Sequence, residues 1–167
     1  MGRLVLDNQD EGSSPTIFGI TCAFSDIGLV FDLNFIFGWG LFRVSDIRCR
    51  HSSVITTHAI YRGIFSGSEI SLFWNAPEFS EWALGERKTG GGLFSGEDEV
   101  APKLLFLKNP KKIHALLTID PELSQKEMLI LRQKILKTTF VLNIIQLPWL
   151  SIRGRENLLF EPIKNKL

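Results

Sequence analysis

The feature that most constrains the fold is an alternation of apolar residues between Ile27 and Phe37. Every odd position of this segment is apolar, whereas Asp32 and Asn34 occupy even positions. Side chains of a β-strand point alternately to its two faces, so a period of two over eleven residues indicates a strand with one face in a core. Gly38-Trp39-Gly40 follows, and its two glycines tolerate backbone angles that end a strand. We therefore predict a strand from Ile27 to Phe37.

Six other segments are rich in β-branched and aromatic residues and are bounded by turn-forming residues. These further predicted strands are residues 16–24, 41–50, 54–62, 64–74, 103–108 and 113–119. The second and third of them form a predicted hairpin around Ser52-Ser53, in which Cys49 faces Thr56 and Ile47 faces His58. This register gives one face of the hairpin an apolar character suited to a core. The residues of that face are Ile47, Cys49, Val54, Thr56, His58 and Ile60.

Two segments carry the start and stop signals of helices. Asn75 and Pro77 begin a short predicted helix, which Gly85 ends. Asp120-Pro121-Glu122 begins a second one with a capping residue, a proline and an acid in the expected order, and Pro148 ends it. About 26 residues at 1.5 Å each give this second helix a length of roughly 39 Å.

The predicted fold is α+β, with seven antiparallel strands in a barrel or a bent sheet that the long C-terminal helix closes. The order of elements over residues 16–147 resembles that of the pleckstrin-homology (PH) type of barrel. A chain of 167 residues suits a single domain. We expect residues 1–15 to form a flexible arm, residues 85–98, with five glycines, to form a mobile loop, and residues 148–167 to form a tail.

Charge and cysteine content favour the cytosol and give no global attraction to nucleic acid. The chain has 19 Lys and Arg against 18 Asp and Glu, a formal net charge of +1. The uncharged segments 33–42 and 138–152 are shorter than the roughly 20 residues that a transmembrane helix needs. Two cysteines do not form a disulfide framework. We expect a cytoplasmic protein without a transmembrane segment.

Candidate catalytic and metal-binding groups are present but do not match the spacing of known sites. Cys49, His51 and His58 share one face of the predicted hairpin, yet a zinc site needs four ligands. Glu69, Glu78 and Glu86 are the acids that a metal-dependent hydrolase or nuclease would use. Because Glu86 opens the glycine-rich loop, nothing would hold such a site rigidly. We therefore predict no catalytic residue, no metal site and no cofactor.

The remaining interpretation is a non-enzymatic binding module with a protein partner, engaged through the glycine-rich loop, the Trp82 helix and the basic C-terminal part of the chain. An anionic membrane surface is the second candidate partner, because basic residues cluster near the end of the chain. Nucleic acid is disfavoured, since the phenylalanines of residues 31–37 are assigned to the core. An apolar-ligand carrier is the alternative from a third class, because 13 phenylalanines could line a cavity. The predicted binding residues are Trp82, Arg87, Lys88, Phe94, Lys108, Lys111, Lys112, Arg153 and Arg155.

Overall fold

The computed structural model describes residues 14–83, 101–107 and 112–152. Residues 1–13 of the predicted arm, the predicted loop 85–98 and residues 153–167 of the predicted tail lie outside this part. The elements are β1 (Thr16–Cys22), α1 (Asp26–Phe37), β2 (Phe42–Arg43), β3 (Ile47–His51), β4 (Val54–His58), β5 (Ile60–Phe65), β6 (Ser68–Trp74), β7 (Phe79–Trp82), β8 (Ala115–Asp120), α2 (Gln125–Ile135) and β9 (Val141–Gln146), followed by a 3-10 turn at Trp149–Ser151.

The strands form two antiparallel sheets. The larger has six strands in the order β2-β5-β6-β8-β1-β9, and the smaller has three in the order β3-β4-β7. In the described chain, β2 and β9 are the two edges of the large sheet and do not pair with each other. The mixed α+β class and the antiparallel pairing are thus confirmed. The sheet is open, so the barrel and the other PH-like details are not confirmed.

Helices cover one face of the large sheet, and irregular chain together with the small sheet covers the other. Leu29 and Leu33 of α1 and Leu131 and Ile135 of α2 are buried in one cluster with side chains of β1, β5, β6, β8 and β9. A second cluster joins Ile17, Phe73 and Leu116 of the sheet to residues that follow or connect the strands, namely Leu107, Ile113, Leu147 and Ile152. The large sheet therefore has a core on each face.

The hairpin prediction is confirmed in its register. β3 pairs with β4 so that Cys49 faces Thr56 and Ile47 faces His58. Cys49, Val54, Thr56 and His58 are buried, as expected for the core face. The predicted strand 54–62 is broken at Ala59, however, because β4 belongs to the small sheet and β5 to the large one.

The predicted strand from Ile27 to Phe37 is wrong, because these residues form helix α1. Ser25 caps its N-terminus, accepting a hydrogen bond from the Gly28 N–H, and Gly38 ends it in the left-handed conformation with φ of 64°. The alternation did not discriminate between the two structures, since Val30 and Ile36 are also apolar and leave the segment apolar on all sides. Only part of the segment is buried: Leu29, Val30, Asp32 and Leu33.

The predicted long C-terminal helix is also wrong. Helix α2 has 11 residues and begins at the capping box of Ser124 and Glu127. It ends at Ile135, whose carbonyl accepts a hydrogen bond of 2.7 Å from the Thr138 hydroxyl. The chain then turns and forms β9, which pairs with β1 along the edge of the large sheet. The β-branched residues Val141, Ile144 and Ile145 lie in this ladder rather than in a helix.

Two other segments differ from their predictions. The predicted helix from Asn75 to Gly85 is strand β7 at residues 79–82, paired with β4. The predicted strand 103–108 has no strand in its described residues. Asn75, expected to cap a helix, is instead buried and binds the backbone of Leu107 and Ile113. No helix in the described chain has the length and apolar character needed to cross a bilayer.

Candidate functional site

Two of the predicted binding residues lie in the described part of the chain, and the structure places them in different parts of the fold. Trp82 ends β7, opposite Val54 in the small sheet, and is half-buried. Lys112 is exposed in the turn before β8, where its carbonyl accepts a hydrogen bond of 2.8 Å from the Thr21 hydroxyl. The other seven lie outside the described residues: Arg87, Lys88, Phe94, Lys108, Lys111, Arg153 and Arg155.

Helix α1 presents the strongest candidate surface, because it is fixed at both ends. Near its start, the Asp26 carboxylate accepts a hydrogen bond of 2.6 Å from the Tyr61 hydroxyl. Near its end, the Asn34 side chain accepts a hydrogen bond from the Leu41 N–H (2.7 Å) and donates one to the Leu41 carbonyl (2.8 Å). The helix is therefore held rigidly against the sheet, whatever covers its outer side.

The outer side of α1 is apolar and exposed. Ile27, Phe31 and Phe35, spaced four residues apart and so on one face of the helix, are 67 %, 69 % and 81 % exposed. Phe24, just before the helix, is 56 % exposed and packs edge-to-face on Phe140. At about 200 Å² per phenylalanine, the three rings alone expose about 400 Å². A patch of this size on a monomer is often functional. We call Phe24, Ile27, Phe31 and Phe35 the aromatic stripe.

The aromatic stripe carries no charge. Residues 26–37 contain no lysine or arginine, and neither of the two acids belongs to the stripe. Asp26 is bound to Tyr61, and burial together with this carboxylate raises the pKa of the Tyr61 hydroxyl. Asp32 is buried. The stripe thus lacks the basic groups that attract an anionic lipid surface or a phosphate backbone, and it suits an apolar protein surface.

These residues were assigned to a core by the sequence analysis, so the exposed stripe was missed. The signals that could have identified it flank the segment: Ser25 three residues before Gly28, and Gly38 at the end. A serine cap and a terminal glycine indicate a helix, and a helix that is apolar on all sides needs cover on all sides.

A cleft of about 220 Å³ lies beside the C-terminal end of α1. Side chains of α1, the turn between β5 and β6, and α2 line it: Phe37, Phe65, Ser66, Ser68, Leu123, Glu127, Ile130, Leu131 and Lys134. Trp39 packs behind it, with its ring centre 4.7 Å from that of Phe37 and 5.8 Å from that of Phe65. The cleft is mostly apolar, with charged groups from α2.

Two histidine side chains of the hairpin meet at a threonine hydroxyl. The Thr56 hydroxyl lies 2.8 Å from Nε2 of His58 and 3.0 Å from Nε2 of His51. Nδ1 of His58 lies 3.1 Å from the Trp74 carbonyl and must donate to it, so Nε2 of His58 accepts from Thr56 and the hydroxyl in turn accepts from His51. Burial lowers the pKa of His58 and raises that of Cys49 to about 11.

This arrangement is a buried hydrogen-bond chain, in which a threonine hydroxyl stands between the two imidazoles. Within residues 14–83, 101–107 and 112–152, no three side chains of His, Cys, Asp or Glu converge on a common metal position. The acids considered for a hydrolase do not converge either. Glu69 lies near the start of β6 and pairs with Arg62 at 3.1 Å. Glu78 lies beyond the other end of β6 and pairs with Arg43. Glu86 lies outside the described residues.

Comparison of the chain with protein-family models, with curated proteins and with solved structures finds no match. The case for a function therefore depends on the surfaces described above.

Proposed function

We propose that the chain is a non-enzymatic protein-interaction module that binds its partner through the aromatic stripe. The observation that supports this most is the exposure of Ile27, Phe31 and Phe35 on a single face of α1. Exposed aromatic residues grouped on one rigid element are typical anchors of protein interfaces. A protein-binding module is also what the sequence led us to expect, but the binding surface proposed here is α1 and not the glycine-rich loop.

The energetics favour a partner over solvent. Removing about 400 Å² of apolar surface from water contributes about 10 kcal/mol before the costs of association. Those costs are reduced here, because Asn34 and Asp26 hold the helix in place and little ordering remains for binding. A rigid apolar face of this size binds another apolar face well and binds a charged one poorly.

Contacts through the glycine-rich loop and the basic residues 153 and 155 remain a prediction, as does a cytoplasmic location. The two cysteines support the latter, because Cys22 and Cys49 are both free and buried. Free thiols persist in a reducing compartment.

Site-specific photo-crosslinking tests the proposal. A photoreactive phenylalanine analogue is incorporated at Phe35 of the full chain, and a matched chain carries it at Phe79, which is exposed to 58 % on the small sheet. In extracts of the native cell, the Phe35 probe should form discrete crosslinked products that a Phe31→Lys change in the same chain abolishes. Equal labelling from both positions, or labelling that survives Phe31→Lys, would count against the stripe as a binding surface.

The cleft beside α1 favours a second candidate function, that of a carrier of small apolar molecules. A volume of about 220 Å³ suits a single aromatic ring or a short acyl chain, since sites for larger ligands occupy roughly 300–1,000 Å³. Solvent extraction of the purified chain followed by mass spectrometry tests this. A stoichiometric apolar compound, lost in a Phe65→Lys variant, would support the carrier. Metal analysis of the same sample tests the hydrolase alternative, for which a stoichiometric divalent ion is required.

A further inference from the structure

We infer that the partner of the aromatic stripe is a second copy of this chain, bound about a twofold axis that passes beside Phe31. This inference rests on the proposed function and names its partner. The stripe is spaced symmetrically about Phe31, as an interface between two identical patches requires. Ile27 lies four residues before Phe31, and Phe35 lies four residues after it. Two antiparallel α1 helices therefore place Phe31 against its own copy and Ile27 against Phe35 of the other copy.

The spacing suits helix-to-helix packing. Residues four apart form the ridges that interdigitate in the commonest packing of helices in globular proteins. The rings of Phe31 and Phe35 are nearly parallel, at 9° with centres 6.4 Å apart, so they form one ridge. Ile27 is smaller than phenylalanine and leaves a recess near the start of α1. The twofold axis places Phe35 of the other copy opposite this recess.

The area and the charge agree with such a pair. Three phenylalanines expose about 400 Å² per copy, so two copies bury about 800 Å² from these rings alone. Ile27 and the rim extend this toward the 1,200 Å² at which specific interfaces begin, which indicates a reversible dimer. Two copies of a charged surface would repel each other about a twofold axis, and the stripe has no charge.

Among the described residues, β9 forms an edge of the large sheet, which is another route by which two copies could associate, and its geometry opposes pairing. Cys22 faces Val141 and Thr21 faces Asn143, so Leu142 is an extra residue that bulges out of the ladder. A bulge on an edge strand interrupts the row of backbone groups that another strand needs. Association is therefore assigned to the helical face.

Analytical ultracentrifugation of the full chain over a range of concentrations is the first test. Wild type should show a reversible monomer–dimer equilibrium, and Phe31→Lys should weaken it about a thousandfold, because symmetry removes two central anchors at once. Phe79→Lys, which changes another exposed ring on the small sheet, should leave the monomer–dimer equilibrium unchanged. Circular dichroism of both variants should match wild type, since neither ring is buried.

Thiol crosslinking tests the twofold axis itself. With a short bis-maleimide, chains with Phe31→Cys should crosslink to one another, whereas chains with Ile27→Cys or Phe35→Cys alone should crosslink weakly. A mixture of the last two should crosslink efficiently. The native Cys22 and Cys49 are buried and serve as the background.

The outcomes separate the dimer from the broader proposal. A monomer at all concentrations, or a dimer that survives Phe31→Lys, overturns the inference that copies pair through α1. In the monomer case, photo-crosslinks from Phe35 to other proteins that Phe31→Lys abolishes would leave the proposed function intact. Absence of those crosslinks together with a monomer would refute both.

Discussion

Replacement of Asn75 tests how the large sheet is joined to the segment that crosses its non-helical face. Asn75 is 1 % exposed, and its side chain makes three hydrogen bonds. Its amide nitrogen donates to the carbonyls of Leu107 (3.0 Å) and Ile113 (2.8 Å), and its oxygen accepts from the Leu107 N–H at 2.7 Å. One side chain thus fixes residues 101–107 to the start of the β8 strand.

The expected cost of Asn75→Ala follows from these contacts. Each buried hydrogen bond contributes about 1 kcal/mol net, and a buried backbone group that loses its partner costs about 1–3 kcal/mol more. Water entering the space left by the amide recovers part of this loss. We expect the free energy of unfolding to fall by about 3–5 kcal/mol, which is a large part of the typical 5–15 kcal/mol of a domain.

Urea denaturation followed by far-UV circular dichroism measures this change. Asn143→Ala is the matched control, because its side chain is exposed and accepts a hydrogen bond from the Ile144 N–H, and it should cost about 1 kcal/mol or less. Asn75→Asp tests the direction of these hydrogen bonds, because its carboxylate has only acceptor oxygens to present to the Leu107 and Ile113 carbonyls. Its loss of unfolding free energy relative to wild type should shrink on acidification, because the protonated acid can donate a hydrogen bond. A loss below about 1 kcal/mol for Asn75→Ala would refute the reasoning.

Two further predictions concern protonation and backbone contact. Burial lowers the pKa of His58 in the folded chain below the ordinary value of 6.5. The unfolded chain therefore binds a proton at His58 more readily than the folded chain does, and the free energy of unfolding should fall as the pH drops below 6.5. Urea denaturation at about pH 7.5 and 5.5 should show this fall in the free energy of unfolding, and His58→Gln should reduce it. A pH dependence that His58→Gln leaves unchanged would contradict the assignment to His58. Gly63→Ala places a Cβ 2.5 Å from the Trp39 carbonyl oxygen and should cost about 2 kcal/mol or more in thermal or urea unfolding. Gly67→Ala, with φ of 83° and no atom within 4 Å, should cost about 1 kcal/mol, and the reverse order would contradict the clash.

The hairpin of β3 and β4 could be predicted from the sequence because its determinants are local. A two-residue turn at Ser52-Ser53 fixes which residues face each other, and the side chains then sort by polarity. Ser52 adopts a φ of 50°, which a short hairpin turn requires. The buried chain of His51, Thr56 and His58 follows from that register, although the hydroxyl between the imidazoles could not be foreseen from spacing.

The C-terminal region could not be predicted in the same way, because its structure depends on distant partners. Residues 141–146 become a strand because they pair with β1, which lies more than a hundred residues earlier in the chain. Asn75 was assigned to a helix cap on its neighbours alone, whereas its partners are Leu107 and Ile113. Local signals of helix and strand are overridden where the tertiary fold satisfies the backbone elsewhere.

The apolar character of helix α1 led to the wrong structural prediction, and it also indicates the function. The apolar odd positions of residues 27–37 satisfy the pattern of a half-buried strand. Because Val30 and Ile36 are apolar as well, the same segment also satisfies the pattern of a fully buried helix. The caps at Ser25 and Gly38 favour the helix, but one sheet face buries only the side that carries Leu29 and Leu33. The rings of Phe31 and Phe35 then remain in water, at a cost proportional to their exposed area. Association reduces that cost, so the exposed half of α1 is the part of this fold best suited to a partner, and its symmetric spacing favours a second copy.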